Sequence, residues 1–157
     1  MTFELSTILH LGLIKVPLEG TTKREAIDEL CNLLCSTDVI GDPDNFRRTV
    51  WDREGQRSTG IGEGLAIPHG KCAGVREITM AIGLPQEPIE FDSIDEQPVD
   101  LIFLLLAPEC AGADHLKALA RVSRLLRDRS TCEKLRGSED PDALYALLIE
   151  TATDAAA

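Results

Sequence analysis

The run Leu-Ile-Phe-Leu-Leu-Leu at positions 101–106 is apolar at every residue, so a strand built from it must be covered on both of its alternating faces. Such a strand belongs in the middle of a sheet with a layer on each side. Val99 to Ala107 is therefore predicted as a central strand, with Glu77 to Leu84 as a second and Ile89 to Phe91 as a shorter third. Helical patterns precede and follow them, which makes a three-layer α/β architecture the natural arrangement.

The helices are read from apolar spacing and capping residues. Ala26, Ile27, Leu30, Cys31 and Leu34 form one face of a helix over Thr21 to Ser36, with Thr21 or Thr22 as cap and Glu25 placed for a capping box. A second helix is predicted from Asp42, with Pro43 in its first position, through Phe46, Val50 and Trp51 to about Gly55. Beyond Pro108, Asp114 is a candidate cap for a helix carrying Leu116, Leu119, Ala120, Val122, Ser123 and Leu126. Shorter helices are expected at 131–136 and 141–150, and residues 151–157 are expected to fray. Ser58 to Gly70 contains alternating glycines, which favour a loop leading to a short strand at Leu65 to Ile67.

Composition narrows the function. A chain of 157 residues fits one domain, with a core expected over residues 6–150. Its formal net charge of −11, without a Lys/Arg run, disfavours nucleic acid. Five cysteines, an odd number, and no secretory pattern at the N-terminus point to reduced thiols in the cytoplasm. No apolar run is long enough to span a bilayer, so no membrane insertion is expected.

Chemistry concentrates between Arg53 and Gly70. Pro68 and Gly70 flank His69 and suggest a fixed turn that presents the ring. A neutral imidazole keeps one nitrogen lone pair free for attack on phosphorus. Arg53 or Arg57 can offset phosphoryl charge with forked donors, and glycines allow the backbone to approach an anion. The glycine spacing fits neither a dinucleotide fingerprint nor a P-loop.

Arg53-Glu54, Ser58-Thr59-Gly60-Ile61-Gly62 and Ala66-Ile67-Pro68-His69-Gly70, with His115-Leu116 downstream, resemble the type 2 enzyme IIA domain of the phosphoenolpyruvate-dependent sugar phosphotransferase system. This is the fructose/mannitol class, which also contains the nitrogen-regulatory IIA proteins. The resemblance spans about Ser6 to Leu148 and is greatest to the regulatory branch. It implies a three-layer sandwich whose central mixed sheet has about five strands with helices on both faces. It further implies that His69 is the phosphoryl acceptor, with Arg53 and His115 as active-site partners and no cofactor. Thr59, Gly60 and Gly62 are candidates for a phosphoryl cradle. The implied donor is a histidine phosphocarrier protein, and the implied downstream partner is a IIB domain or a regulatory target protein. The site is expected at an edge of the sheet, with Ile61 and Leu65 as docking residues.

Two other readings compete. His69-x-x-Cys72 and Cys110-x4-His115 offer two nitrogens and two sulfurs for tetrahedral zinc. A non-catalytic binding module would keep the fold without phosphorylation. Cys31 and Cys35 read as small buried hydrophobes, and Asp95 as solvated loop charge or a seat for a basic partner.

Overall fold

A computed structural model describes residues 5–56 and 58–156. Two short 3-10 turns lead into β1 (Ile14–Leu18). Helices α1 (Lys23–Cys35) and α2 (Pro43–Gln56) follow, then β2 (Gly60–Gly62), β3 (Leu65–Ala66), β4 (His69–Cys72), β5 (Thr79–Pro85) and β6 (Leu101–Pro108). The chain closes with α3 (Ala113–Leu125), α4 (Arg129–Arg136) and α5 (Pro141–Ala156).

The sheet is open and mixed, ordered β1-β5-β6-β3-β2, with β4 also paired to β6. β5 is antiparallel to β6, whereas β3 and β4 lie parallel along the other side of β6. The two-faced run takes the predicted central place. Leu101, Phe103 and Leu105 point into a core shared with α3, α4 and α5. Ile102, Leu104 and Leu106 point into a second core shared with α1 and α2. Every one of these six residues is fully buried.

Local chemistry sets the helix starts. Thr22 caps α1 by accepting from the Glu25 amide, while the Glu25 carboxylate accepts from the Thr21 amide and hydroxyl. Asp42 accepts from the Asn45 amide at the start of α2, just ahead of Pro43.

The run Ile14–Leu18, which carries no clear sequence pattern, forms an edge strand although Pro17 interrupts it, because an edge tolerates a missing donor. Several expectations are corrected. Ile89 to Phe91 contributes only one bridge, Ile89 to Val99. Helix α3 begins at Ala113 after Gly112 (φ 55°), without a side-chain cap, so Asp114 lies inside its first turn. Its buried face is His115, Ala118, Val122 and Leu125, leaving Leu116 exposed. α5 continues to Ala156.

Candidate functional site

β3 and β4 are two pieces of one line along β6, separated by Ile67 and Pro68. Pro68 has no amide to donate, but its carbonyl still accepts from Leu105. β2 covers the outer edge of β3, and its last tie is the Ile67 amide to the Thr59 carbonyl at 3.1 Å. β4 pairs only with β6, which leaves His69 at an open edge of the sheet. Arg53, near the end of α2, reaches this edge from one layer, while Leu119 and Ser123 of α3 approach from the other.

The His69 ring is fixed by its own main chain. Nδ1 lies 2.7 Å from the Ile67 carbonyl, which can only accept, so the ring proton belongs on Nδ1. Nε2 is left with a lone pair, 3.4 Å from Nη2 of Arg53. The His115 ring lies 6.0 Å from the His69 ring, tilted by 37°. His115 is buried in the first turn of α3, and its Nδ1 has no hydrogen-bond partner among the described residues. Burial pushes both imidazoles below the ordinary histidine value of 6.5. The Arg53 cation adds to this at His69, while the Ile67 carbonyl and the Glu54 carboxylate oppose it. At His115 the neighbouring His69 and Lys71 add to the burial effect. Both rings are therefore neutral near pH 7.

A cleft of about 190 Å³ opens beside His69, lined among others by Arg53, Ser58, Thr59, Ile61, Ile94 and Leu119. Ile61 is 46% exposed and Ile94 is 69% exposed, so the rim is apolar and open to solvent. Leu65, expected as a docking residue, is instead buried at the head of β3. Ile94 was not singled out, although one isoleucine within Asp92–Glu96 is a signal of exposed apolar surface.

At two of the cradle candidates the donors are engaged within the loop. The Thr59 amide and hydroxyl both donate to Glu54, at 3.1 and 2.7 Å. The Gly60 amide donates to the Ser58 hydroxyl. These hydrogen bonds brace the loop. Gly62 (φ 101°) belongs to the left-handed turn Gly62-Glu63-Gly64 that joins β2 to β3. Asp95 braces that turn by accepting from the Glu63 and Gln97 amides. Arg57 lies outside the described residues.

The sulfurs stand apart from this chemistry. Burial raises the Cys31 thiol to about 12 and the Cys72 thiol to about 11, so neither is a ready thiolate. Cys72 is buried, whereas Cys110 is exposed. Among the described residues no group of three or more His, Cys, Asp or Glu is placed to hold a metal ion.

Comparison with known proteins shows the family. Residues 7–151 match the family described as "Phosphoenolpyruvate-dependent sugar phosphotransferase system, EIIA 2". The chain belongs to that family. A nitrogen regulatory protein of Bradyrhizobium diazoefficiens is 45% identical over 131 residues, which is 83% of this EIIA chain and 85% of that protein. The fructose-specific EIIABC component of Bacillus subtilis is 34% identical over 145 residues, which is 92% of this chain but 23% of that longer protein. The crystal structure of the nitrogen regulatory protein IIA-Ntr from Neisseria meningitidis matches with a TM-score of 0.83 at 34% identity, covering 92% of this chain and 98% of that one. No helix among the described residues is long and apolar enough to cross a membrane.

Proposed function

We propose that this EIIA chain is a phosphohistidine carrier whose acceptor atom is Nε2 of His69. The observation that carries this reading is the ring's orientation: Nδ1–H is held by the Ile67 carbonyl, and the lone pair of Nε2 faces a guanidinium across an open cleft.

In the proposed step, the phosphohistidine of a small phosphocarrier protein enters the cleft and Nε2 attacks phosphorus. The new Nε2–P bond forms as the donor's N–P bond breaks, and that electron pair returns to the donor ring. No proton needs to leave His69. Keeping the Nδ1 proton makes the phosphorylated ring cationic, so it remains a good leaving group for onward transfer. Arg53 stabilises charge on the equatorial phosphoryl oxygens, which is the main demand of a loose transition state. His115 supplies a second hydrogen bond near the transferred group. Ile61 and Ile94 at the rim provide the contact for a partner whose encounter is short-lived and buries less than ~1,200 Å².

A regulatory role is favoured over transport, because a nitrogen regulatory protein is 45% identical, whereas the fructose-specific components are 34% and 35% identical. Phosphorylation at His69 then alters which target protein is bound. The transport reading, in which a IIB domain takes the phosphoryl group for sugar uptake, rests on the similarity to the fructose-specific component. Either role places the chain in the cytoplasm, where its five free thiols would stay reduced.

The test is incubation with labelled phosphoenolpyruvate, enzyme I and the phosphocarrier protein, followed by addition of a IIB domain with sugar. Acid-labile label on the wild type and none on His69→Ala is expected, and equal label on both would defeat the reading. Label retained after addition of the IIB domain supports regulation, and label lost to sugar supports transport.

A further inference from the structure

The main-chain anchor of the His69 ring leads back to one buried acid. The Glu54 side chain is 2% exposed and accepts from three donors: the Thr59 amide at 3.1 Å, the Thr59 hydroxyl at 2.7 Å and Lys23 Nζ at 2.6 Å. Thr59 in turn accepts the Ile67 amide through its carbonyl at 3.1 Å, and the Ile67 carbonyl holds Nδ1 of His69. On the other side, Glu54 adjoins Arg53 in α2, and Arg53 faces Nε2. The partner at Nδ1 is thus referred to this carboxylate, which is the chain neighbour of the partner at Nε2.

A buried carboxylate close to an incoming dianion would repel it unless neutralised. Lys23 supplies that neutralisation from the first residue of α1, far away in sequence. Its ammonium is itself fixed, 3.5 Å from the Phe91 carbonyl and 5.0 Å from the centre of the Phe91 ring. The Ser58 hydroxyl donates to the same carbonyl at 2.5 Å, so the start of β2 is tied to this cluster twice.

We infer that Glu54 and Lys23 are a positioning pair for phosphoryl transfer: Glu54 sets the register of Thr59 and Ile67 beside His69, and Lys23 cancels the charge that this anchor brings to the site. The inference rests on the relay reading for its kinetic consequence and on geometry alone for its electrostatic one. Neither residue touches the reacting atoms.

The charged and titratable groups acting on the His69 ring are Arg53 and Glu54 on α2 and His115 on α3. Glu54→Gln removes an anion that favours the protonated ring, so the His69 pKa should fall. Lys23→Met unmasks that anion, so the pKa should rise, and Lys23→Arg should leave it near the wild-type value. Opposite shifts, read by NMR titration of the ring protons, are expected of a charge pair. Shifts in the same direction, as general loosening would give, would overturn it. In the labelling assay Glu54→Gln should lower the maximal transfer rate by about 10- to 100-fold at unchanged KM for the donor. A rate reduced only in proportion to the folded fraction would also overturn the inference. Should a single variant fail to fold, the double variant Lys23→Met/Glu54→Gln leaves no unmatched charge. It should keep a near-wild-type His69 pKa yet transfer slowly, and wild-type transfer would refute the anchor. If wild-type protein accepts no label, the relay reading fails, and the titration still decides the charge pair.

Discussion

Removing the Arg53 guanidinium should slow phosphoryl transfer to His69 far more than it weakens the fold. Nη2 lies 3.4 Å from Nε2, so oxygens on a phosphorus bonded to that nitrogen come within contact range of the cation. Unit charges about 4 Å apart interact by about 4 kcal/mol at the effective dielectric of a protein surface. The cleft is open at its rim, with Ile61 46% and Ile94 69% exposed, and water there reduces the effect to about half that figure. A loss of about 2–4 kcal/mol in the transition state corresponds to about 30- to 1,000-fold in rate. Arg53→Ala should therefore fall in that range, and Arg53→Lys should recover part of it by restoring charge without the fork. The assay is rapid-quench measurement of label transfer from the phosphorylated carrier, with thermal unfolding recorded on the same samples. A rate within about threefold of wild type for a folded Arg53→Ala protein would refute the electrostatic reasoning.

Four further outcomes are expected. Because both histidines have depressed pKa values, transfer should be flat through neutral pH and decline only below 6.5; a midpoint at or above 6.5 in the pH–rate profile would contradict this. The sign for stability follows from the same shifts. Below the unfolded value of 6.5 the unfolded chain binds protons that the folded chain refuses, so stability should fall as pH drops from there toward the folded pKa values. Urea midpoints measured on either side of 6.5, compared with His69→Gln/His115→Gln, check it. Gly60→Ala would place a Cβ 2.2 Å from the Ser93 hydroxyl oxygen and 3.0 Å from its Cα, so β2 should be pushed off the 92–95 loop at a cost of about 1–3 kcal/mol in denaturant unfolding. Phe103→Ala, which empties a fully buried site on the central strand, should cost about 3–5 kcal/mol, whereas Leu116→Ala on the exposed face of α3 should cost under about 0.5 kcal/mol.

Much of this architecture could be read from the chain, because the signals were local and redundant. The all-apolar run of β6 has only one stable place in a sheet, and the caps at Thr22 and Asp42 mark helix starts by chemistry that needs no distant partner. β1 was hidden by Pro17, which is harmless only because the strand lies at an edge, and edge position is a tertiary fact. β2 and β4 are three and four residues long and rich in glycine, too short for alternation to register. The buried face of α3 follows its packing against the sheet and the first 3-10 turn, which leaves Leu116 in solvent against the simple apolar pattern.

Arg53, His69 and His115 do converge, and the resemblance drew attention to all three. The loop bonds of Thr59 and Gly60 were not legible, since glycine and threonine beside a nucleophile suit anion binding and loop bracing equally well until the donors are traced. Glu54 adjoins Arg53 but looks like helix surface in a string of charged residues. Lys23 carries no local signal, because its partner is on another helix.

The central claim concerns one atom. Phosphorylated, nitrogen-15-labelled protein examined by NMR should show phosphorus coupled to Nε2 of His69, with the proton retained on Nδ1. Coupling to Nδ1, or to a nitrogen of any other residue, would contradict the account.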